Sequence, residues 1–199
     1  MASIQHQIKN YFGNLQYAMD SCGTEKIIHS FRTQLSLDDT KDIFAMDGKN
    51  AFNEANRIFG LSQIQKNFPS ALPFIRMLYS NPANMWYFTG SEHGAQAISS
   101  AQGFQQGDPT ATWCFAMTIQ PFLQQLHQIL GDSGFVKFFV DDGNLAATFD
   151  KMVEAIQYIK EYGPMFGYYI RFDKGKYLLG KCTTLLEAKQ KKQRPEKTW

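Results

Sequence analysis

Two neighbouring aspartates, Asp141 and Asp142, directly follow the strand-like segment 135–140, which is rich in phenylalanine and valine. Two carboxylates this close raise each other's pKa unless a cation neutralises their charge. Carboxylate oxygens are hard ligands that favour Mg²⁺ or Mn²⁺. Because an apolar strand would hold both side chains rigidly, the pattern predicts a divalent-metal site at the tip of a hairpin.

A second acidic pair, Asp38-Asp39, offers a comparison within the same chain. It lies in a polar stretch at the predicted end of a helix, and no apolar strand leads into it. We therefore expect this pair to be solvated and not to bind a metal.

Asp47 is a third candidate ligand, because it also ends a short apolar segment, 43–46. The alternative is a helix-capping aspartate, since a short helix is predicted to follow. If the strand before Asp47 lies beside the 135–140 strand, three carboxylates converge. Three carboxylates can hold two divalent ions, an arrangement suited to in-line phosphoryl transfer.

A glycine-containing loop, Gln102-Gly103-Phe104-Gln105-Gln106-Gly107-Asp108-Pro109, precedes a long helical pattern. Gly107 permits a tight backbone approach or an unusual dihedral angle, and Pro109 suits the first turn of a helix. The loop is either part of a binding pocket or a helix entry in which Asp108 is the N-cap.

The elements that must position these residues are of mixed type. Helices are predicted over 24–37, 50–58, 70–79, 109–130 and 150–162. Strands are predicted over 42–46, 85–89, 135–140 and 144–149, with short β-like runs at 168–172 and 177–179 and a turn at 141–143. This order favours an α+β fold, with an antiparallel sheet and helices on one face.

Four segments together resemble the catalytic motifs of reverse transcriptases. Asp47 followed by Asn50-Ala51-Phe52-Asn53 resembles the first motif, particularly its form in non-LTR retroelements. Gln106-Gly107-Asp108-Pro109 resembles the second motif, and Phe139-Val140-Asp141-Asp142 resembles the third. Gly167-Tyr168-Tyr169-Ile170 with Lys174 resembles the fourth. The upstream stretch Gly23-Thr24-Glu25-Lys26-Ile27-Ile28-His29 is similar to the lead-in, so the resemblance covers residues 15–179.

The resemblance implies a polymerase palm with partial fingers, acting as an RNA-directed DNA polymerase on an RNA template, a DNA primer and a dNTP. Asp47 and Asp141 would be the main ligands of two Mg²⁺ (or Mn²⁺) ions, with Asp142 as the third acidic residue. Lys174 would lie near the incoming phosphates as a proton donor, with Lys176 as its rival.

The resemblance also implies the residues that bind the nucleotide. Phe52 would select deoxynucleotides by blocking a 2′-hydroxyl, unless it simply packs in the core. Gln106 and Gly107 would shape the nucleotide and template pocket.

The chain departs from the family in several places. Thr110-Ala111-Thr112 stands where Leu-Ser-Pro is frequent, and Arg171 where asparagine is usual. Fingertip residues, a thumb, an endonuclease and an RNase H portion have no clear counterpart. We expect partial fingers over 1–40, a palm over 41–181 and a basic tail over 182–199. A catalytically inactive remnant that binds nucleic acid is the alternative function. An RNA-dependent RNA polymerase is a third reading, against which Phe52 argues.

Composition adds weaker expectations. The net charge is +2, and Cys22, Cys114 and Cys182 lack the spacing of a zinc knuckle or a disulfide framework. No apolar run is long enough to cross a bilayer, and no secretory signal pattern opens the chain, so an intracellular location is expected. The basic residues after position 175 could bind phosphates, although a solvated tail is favoured.

Overall fold

The computed structural model describes residues 2–88, 90 and 94–181, without the side chains of residues 2 and 3. The helices are α1 Ala2–Phe12, α2 Gly23–Leu37, α3 Ala51–Glu54, α4 Arg57–Asn67, α5 Leu72–Tyr79, α6 Ala111–Leu130 and α7 Phe149–Tyr162, followed by a 3₁₀ helix Gly163–Phe166. The strands are β1 Asp42–Met46, β2 Ala83–Phe88, β3 Ala95–Ser100, β4 Phe135–Phe139, β5 Asp142–Ala147 and β6 Lys176–Leu178. The predicted basic tail over 182–199, with Cys182, lies outside the described residues.

Four antiparallel strands form the main sheet, in the order β4-β5-β1-β6. In β1, Phe44 lies opposite Leu145 of β5 and opposite Tyr177 of β6. The outer edge of β4 is covered as well, because Phe138 exchanges two backbone hydrogen bonds with Leu15 and Tyr17. This pairing joins the N-terminal segment to the strand that delivers the acidic pair.

The core lies between this sheet and helices α6 and α7. Alternate residues of the strands are buried toward the helices, among them Phe44, Phe138 and Leu145. Helix α6 contributes more buried residues than any other element described, and it accommodates Pro121 within its length. The antiparallel sheet backed by helices is the α+β arrangement that the sequence predicts, and α2 also touches the opposite sheet face, where Phe31 contacts Phe135.

Two local predictions are corrected. The helix expected over 50–58 is two helices, because the Asn56 side chain accepts a hydrogen bond from the Phe59 N–H and starts α4 anew. The hairpin turn lies one residue earlier than expected: Phe139 pairs with Asp142, so Val140 and Asp141 form the turn and Asp142 begins β5. Among the described residues, no helix is long and apolar enough to span a membrane.

Candidate active site

The three candidate carboxylates come from one end of the main sheet. Met46, the last residue of β1, lies opposite Gly143 of β5, so continuing this antiparallel register by one residue sets Asp47 beside Asp142. Asp141 stands in the adjoining turn, where its β-carbon lies 3.4 Å from the position that a β-carbon on Gly48 would take. The neighbour of β1 is β5 rather than the 135–140 strand on which the predicted convergence depended, and the three positions lie at one end of the sheet because Asp142 itself begins β5.

The electrostatics of the site are those of like charges held close together. Burial raises the pKa of Asp141, and the charges of Asp142 and Asp47 raise it further. Burial and the charge of Asp47 also raise the pKa of Asp142. The cation that opposes both shifts is Lys174, whose Nζ lies 3.3 Å from Oδ2 of Asp47.

Lys174, rather than Lys176, is therefore the lysine that the fold brings to the carboxylates. Lys176 begins β6 opposite Ala45, but among the described residues it is Lys174 that forms the ion pair with Asp47. The side chain of Lys174 keeps 56% of its surface exposed. It is free to exchange its ion pair with Asp47 for another anion that enters the site.

The three carboxylates are chemically suited to a hard divalent cation, because such a cation prefers oxygen ligands and would relieve the repulsion between them. In the side-chain positions of the described residues, no three acidic, histidine or cysteine groups form a ready-made metal cluster. Asp47 is turned to Lys174, and Asp142 lies opposite Phe139 on the sheet surface. The backbone thus gathers the three positions, while the carboxylates themselves do not enclose an ion.

Gln16 holds the turn that carries Asp141. Its side chain is 3% exposed, and its amide pairs with both backbone groups of Val140: Nε2 donates to the Val140 carbonyl and Oε1 accepts from the Val140 N–H, each at 2.9 Å. Val140 adopts a φ of 57°, a conformation that branched residues disfavour. Gln16 therefore fixes an unfavourable turn geometry, and no sequence signal points to it, since it lies 124 positions from its partner.

Tyr168 supports the same turn from the other side. It is fully buried, and its hydroxyl donates to the backbone carbonyl of Asp141 at 2.9 Å. The segment around it runs along the end of β1, because Lys49 N–H donates to the Tyr169 carbonyl and Arg171 N–H to the Asp47 carbonyl. The predicted fourth motif is thus the segment that braces both Asp47 and Asp141.

The glycine loop is anchored at Gly103. This residue has a φ of 67°, and a β-carbon there would lie 2.3 Å from the carbonyl oxygens of Phe52 and Asn53. The buried guanidinium of Arg57 donates to the carbonyls of Ser100, Gln102 and Gly103. Of the two possibilities that the sequence left open for Gly107, a tight backbone approach or an unusual dihedral angle, Gly107 shows the unusual dihedral angle, and the close approach occurs at Gly103.

The remaining predicted nucleotide-binding residues lie on or beside this loop. Gly107 has a φ of 90° with open space around it, and Gln106 beside it is exposed. Asp108 accepts hydrogen bonds from Thr110 and from the Tyr79 hydroxyl, but the N-cap of α6 is Thr110 rather than Asp108. Phe52, half-buried, stacks on Phe115 with ring centroids 5.2 Å apart, and its carbonyl accepts from the Phe104 N–H.

The comparison pair Asp38-Asp39 behaves as a solvated pair. Asp38 accepts hydrogen bonds from Thr40 and pairs with Lys41 at 3.4 Å. Asp39 forms an ion pair with Lys181. Both carboxylates thus have a lysine partner, and Asp38 also has a hydroxyl partner.

No protein-family model matches the chain, and no curated protein matches its sequence. Solved structures do match its fold. Apo telomerase from Candida tropicalis, truncated from its C-terminal domain, superposes with a TM-score of 0.70 at 13% identity, covering 92% of this chain and 40% of that one. Telomerase from Candida albicans, in complex with the TWJ fragment of telomeric RNA, superposes with a TM-score of 0.57 at 12% identity, covering 92% of this chain and 33% of that one.

These likenesses confirm the predicted reverse-transcriptase-like fold. At such low sequence identity they concern the fold alone. The chain spans two fifths or less of the length of these two structures.

Proposed function

We propose that this chain is the palm of an RNA-directed DNA polymerase and transfers a deoxynucleotide to the 3′ end of a primer. The observation that carries the proposal is the gathering of Asp47, Asp141 and Asp142 at one end of the sheet, where burial and neighbouring negative charge raise the pKa values of Asp141 and Asp142 and Lys174 is the nearby cation. The resemblance of the first motif to that of non-LTR retroelements is the sequence basis for a retroelement origin.

In this reaction the protein would contribute positioning and charge neutralisation rather than covalent chemistry. Two Mg²⁺ (or Mn²⁺) ions held by Asp47, Asp141 and Asp142 would supply charge neutralisation at the attacking and leaving oxygens. The turn held by Gln16 and Tyr168 keeps Asp141 in a fixed position. A rigid position for the carboxylates is what orientation of the reacting groups requires.

Lys174 and Phe52 would act on the nucleotide. Because the Lys174 side chain is half-exposed and its ion pair is with Asp47, it could turn to the triphosphate and donate a proton to the leaving pyrophosphate. The ring of Phe52 is stacked on Phe115 and held from behind, which suits a rigid barrier to a 2′-hydroxyl. Gln106 and Gly107, exposed on the adjoining loop, would border the nucleotide and the template.

The test is primer extension with purified protein on an RNA template with a DNA primer, dNTPs and Mg²⁺. Loss of one carboxylate is expected to remove several kcal/mol of charge stabilisation, so Asp141→Asn should reduce incorporation by about 100-fold or more. Asp39→Asn is the matched control, since it removes the same charge from the solvated pair. Equal incorporation by wild type and Asp141→Asn would remove Asp141 from the mechanism.

The sugar preference offers an independent test of Phe52. Wild type should use dNTPs in preference to NTPs, and Phe52→Ala should narrow that preference by admitting the 2′-hydroxyl. A wild type that uses NTPs as readily as dNTPs would instead indicate an RNA-dependent RNA polymerase.

A second candidate function is a catalytically inactive remnant that binds nucleic acid. It is favoured by the absence of a ready-made metal cluster among the described residues. The Candida albicans telomerase structure contains telomeric RNA, and RNA is the nucleic acid we propose for this chain too. This candidate predicts binding that weakens steeply with salt while no nucleotide is incorporated.

A further inference from the structure

The β2–β3 hairpin forms a two-stranded sheet of its own, separate from the main sheet. Its large apolar side chains face solvent: Met85 is 50% exposed, Trp86 62%, Tyr87 59%, Phe88 76% and Ile98 51%. An isolated two-stranded hairpin is marginally stable in water. A contiguous apolar surface of this kind marks an interaction site more often than a free surface.

Both faces of the hairpin are apolar, and each has its own composition. On one face Trp86 and Phe88 lie opposite Ala97 and Ala95, so small residues leave the two rings uncovered. On the other face Met85 and Tyr87 lie opposite Ile98 and Gln96.

The edges of the two strands are equally unprotected. Free strands in soluble proteins commonly carry lysine or proline, which prevents a further strand from pairing with them. Neither β2 nor β3 contains a charged residue or a proline. Among the residues that the structure describes, no third strand pairs with this sheet, so the outer edge of β2 is open to a further strand.

The base of the hairpin is nevertheless fixed to the body of the protein. Arg57 donates to the carbonyls of Ser100, Gln102 and Gly103, at distances from 2.7 to 3.2 Å. The guanidinium also lies 5.4 Å from the ring centroid of Tyr79. A hairpin held firmly at its base presents its strands in a constant orientation.

We propose that β2 pairs with β2 of a second copy of this chain, antiparallel and about a twofold axis at Tyr87, to give a continuous four-stranded sheet. In this register Trp86 lies opposite Phe88 of the second copy, and Phe88 lies opposite Trp86 of the second copy on the other side of the axis. Two aromatic pairs then form on one face, and cross-strand aromatic pairs stabilise antiparallel strands. The inference does not depend on the proposed polymerase activity.

The lack of charge on the two strands favours a second copy of this chain as the partner. Two copies can approach without repulsion, because the strands carry no charge, and like faces meet across a twofold axis. A nucleic acid would need cations on the strands to bind its phosphates, and the strands offer none.

The first test measures the oligomeric state of nuclease-treated protein by sedimentation and light scattering, at concentrations from about 1 to 100 µM. Wild type should be dimeric at the upper end of this range. The double variant Trp86→Lys/Phe88→Lys should weaken the dimer by at least about tenfold, because it replaces aromatic pairs with facing charges. Ile58→Lys is the matched control, since Ile58 is 83% exposed on α4, and it should remain dimeric.

The second test examines the register. Antiparallel partners lie about 4.5–5.5 Å apart at their α-carbons, which is within the range of a disulfide. In a Cys22→Ser/Cys182→Ser background, Tyr87→Cys should therefore form a cross-linked dimer on mild oxidation, whereas Ile58→Cys should not.

Several outcomes would overturn the proposal. They are a wild type that stays monomeric throughout the range, a dimer that the lysine variant leaves unchanged, equal cross-linking at positions 58 and 87, or heterogeneous aggregates in place of a dimer. RNA binding by a monomer that the lysine variant abolishes would also overturn it, and would assign the hairpin to nucleic acid. The side chains of Ile58, Trp86, Tyr87 and Phe88 are exposed, and circular dichroism can verify that each variant folds.

Discussion

Replacing Gln16 with methionine should destabilise the fold through the loss of three hydrogen bonds, two of which hold the turn at Val140. The Gln16 amide donates to the Val140 carbonyl and accepts from the N–H groups of Val140 and Ala18, at 2.9 to 3.0 Å. Each bond contributes about 0.5–1.5 kcal/mol, and buried partners left unsatisfied add to the loss. Relaxation of the positive φ at Val140 and the burial of methionine offset part of it. We expect a net loss of about 2–3 kcal/mol, a large fraction of the 5–15 kcal/mol typical of a domain.

Urea unfolding, followed by circular dichroism, measures this loss. With a slope of about 1–3 kcal/mol per molar urea, the midpoint should fall by roughly 1–2 M at an unchanged slope. Gln125→Met makes the same chemical change at an exposed position of α6 and should alter stability by less than about 0.5 kcal/mol. If the two variants unfold at the same urea concentration, Gln16 does not hold the turn and the reasoning is refuted.

Two further predictions concern the glycine loop and the acidic cluster. Gly103→Ala should destabilise the protein by at least about 2 kcal/mol more than Gly107→Ala in urea unfolding, because both have positive φ but only Gly103 faces carbonyl oxygens at 2.3 Å; equal losses would contradict it. The pKa of Asp141 is raised in the folded state, so its ionisation opposes folding at neutral pH and this penalty is lost as the pH falls through the folded pKa. In EDTA, Asp141→Asn should therefore be more stable than wild type at pH 7, and the difference should shrink toward pH 4. Asp39→Asn should show no such gain in stability. If Asp141→Asn is less stable than wild type at pH 7, the predicted direction of the change is wrong.

The strands that carry the carboxylates were the most predictable part of the fold. The segments before Asp47 and Asp141 are short and apolar and end in charged residues. This pattern is local, so strands can be predicted from it. The ordering of these strands is not local information. β5 separates β1 from β4. The register of the β4–β5 hairpin is likewise set by which residues form the turn, and these are Val140 and Asp141 rather than the predicted residues 141–143.

The supports of the site were not predictable for a related reason. Gln16 lies in an N-terminal segment with no distinctive pattern, and its role depends on a backbone group that becomes its neighbour only after folding. Gly103 and Gly107 stand in the same loop with similar sequence surroundings, yet only Gly103 packs against another backbone. Glycine's conformational freedom can be read from a sequence, whereas close approach requires the tertiary structure.

The supports of the turn also explain why its charges remain unbalanced. Gln16 and Tyr168 bind the backbone of Val140 and Asp141, and neither donates to a carboxylate oxygen of the acidic pair. The turn is thus fixed without neutralising Asp141 or Asp142, while Lys174 pairs with Asp47 instead. In the solvated pair, by contrast, lysines and a threonine bind both carboxylates directly. A fold that needed only to stabilise itself would gain by placing a cation at the turn, and we therefore propose that the acidic turn binds a cation. Titration with Mg²⁺ should accordingly raise the unfolding temperature of wild type more than that of Asp141→Asn, and equal shifts would show that the acidic turn is not where the ion binds.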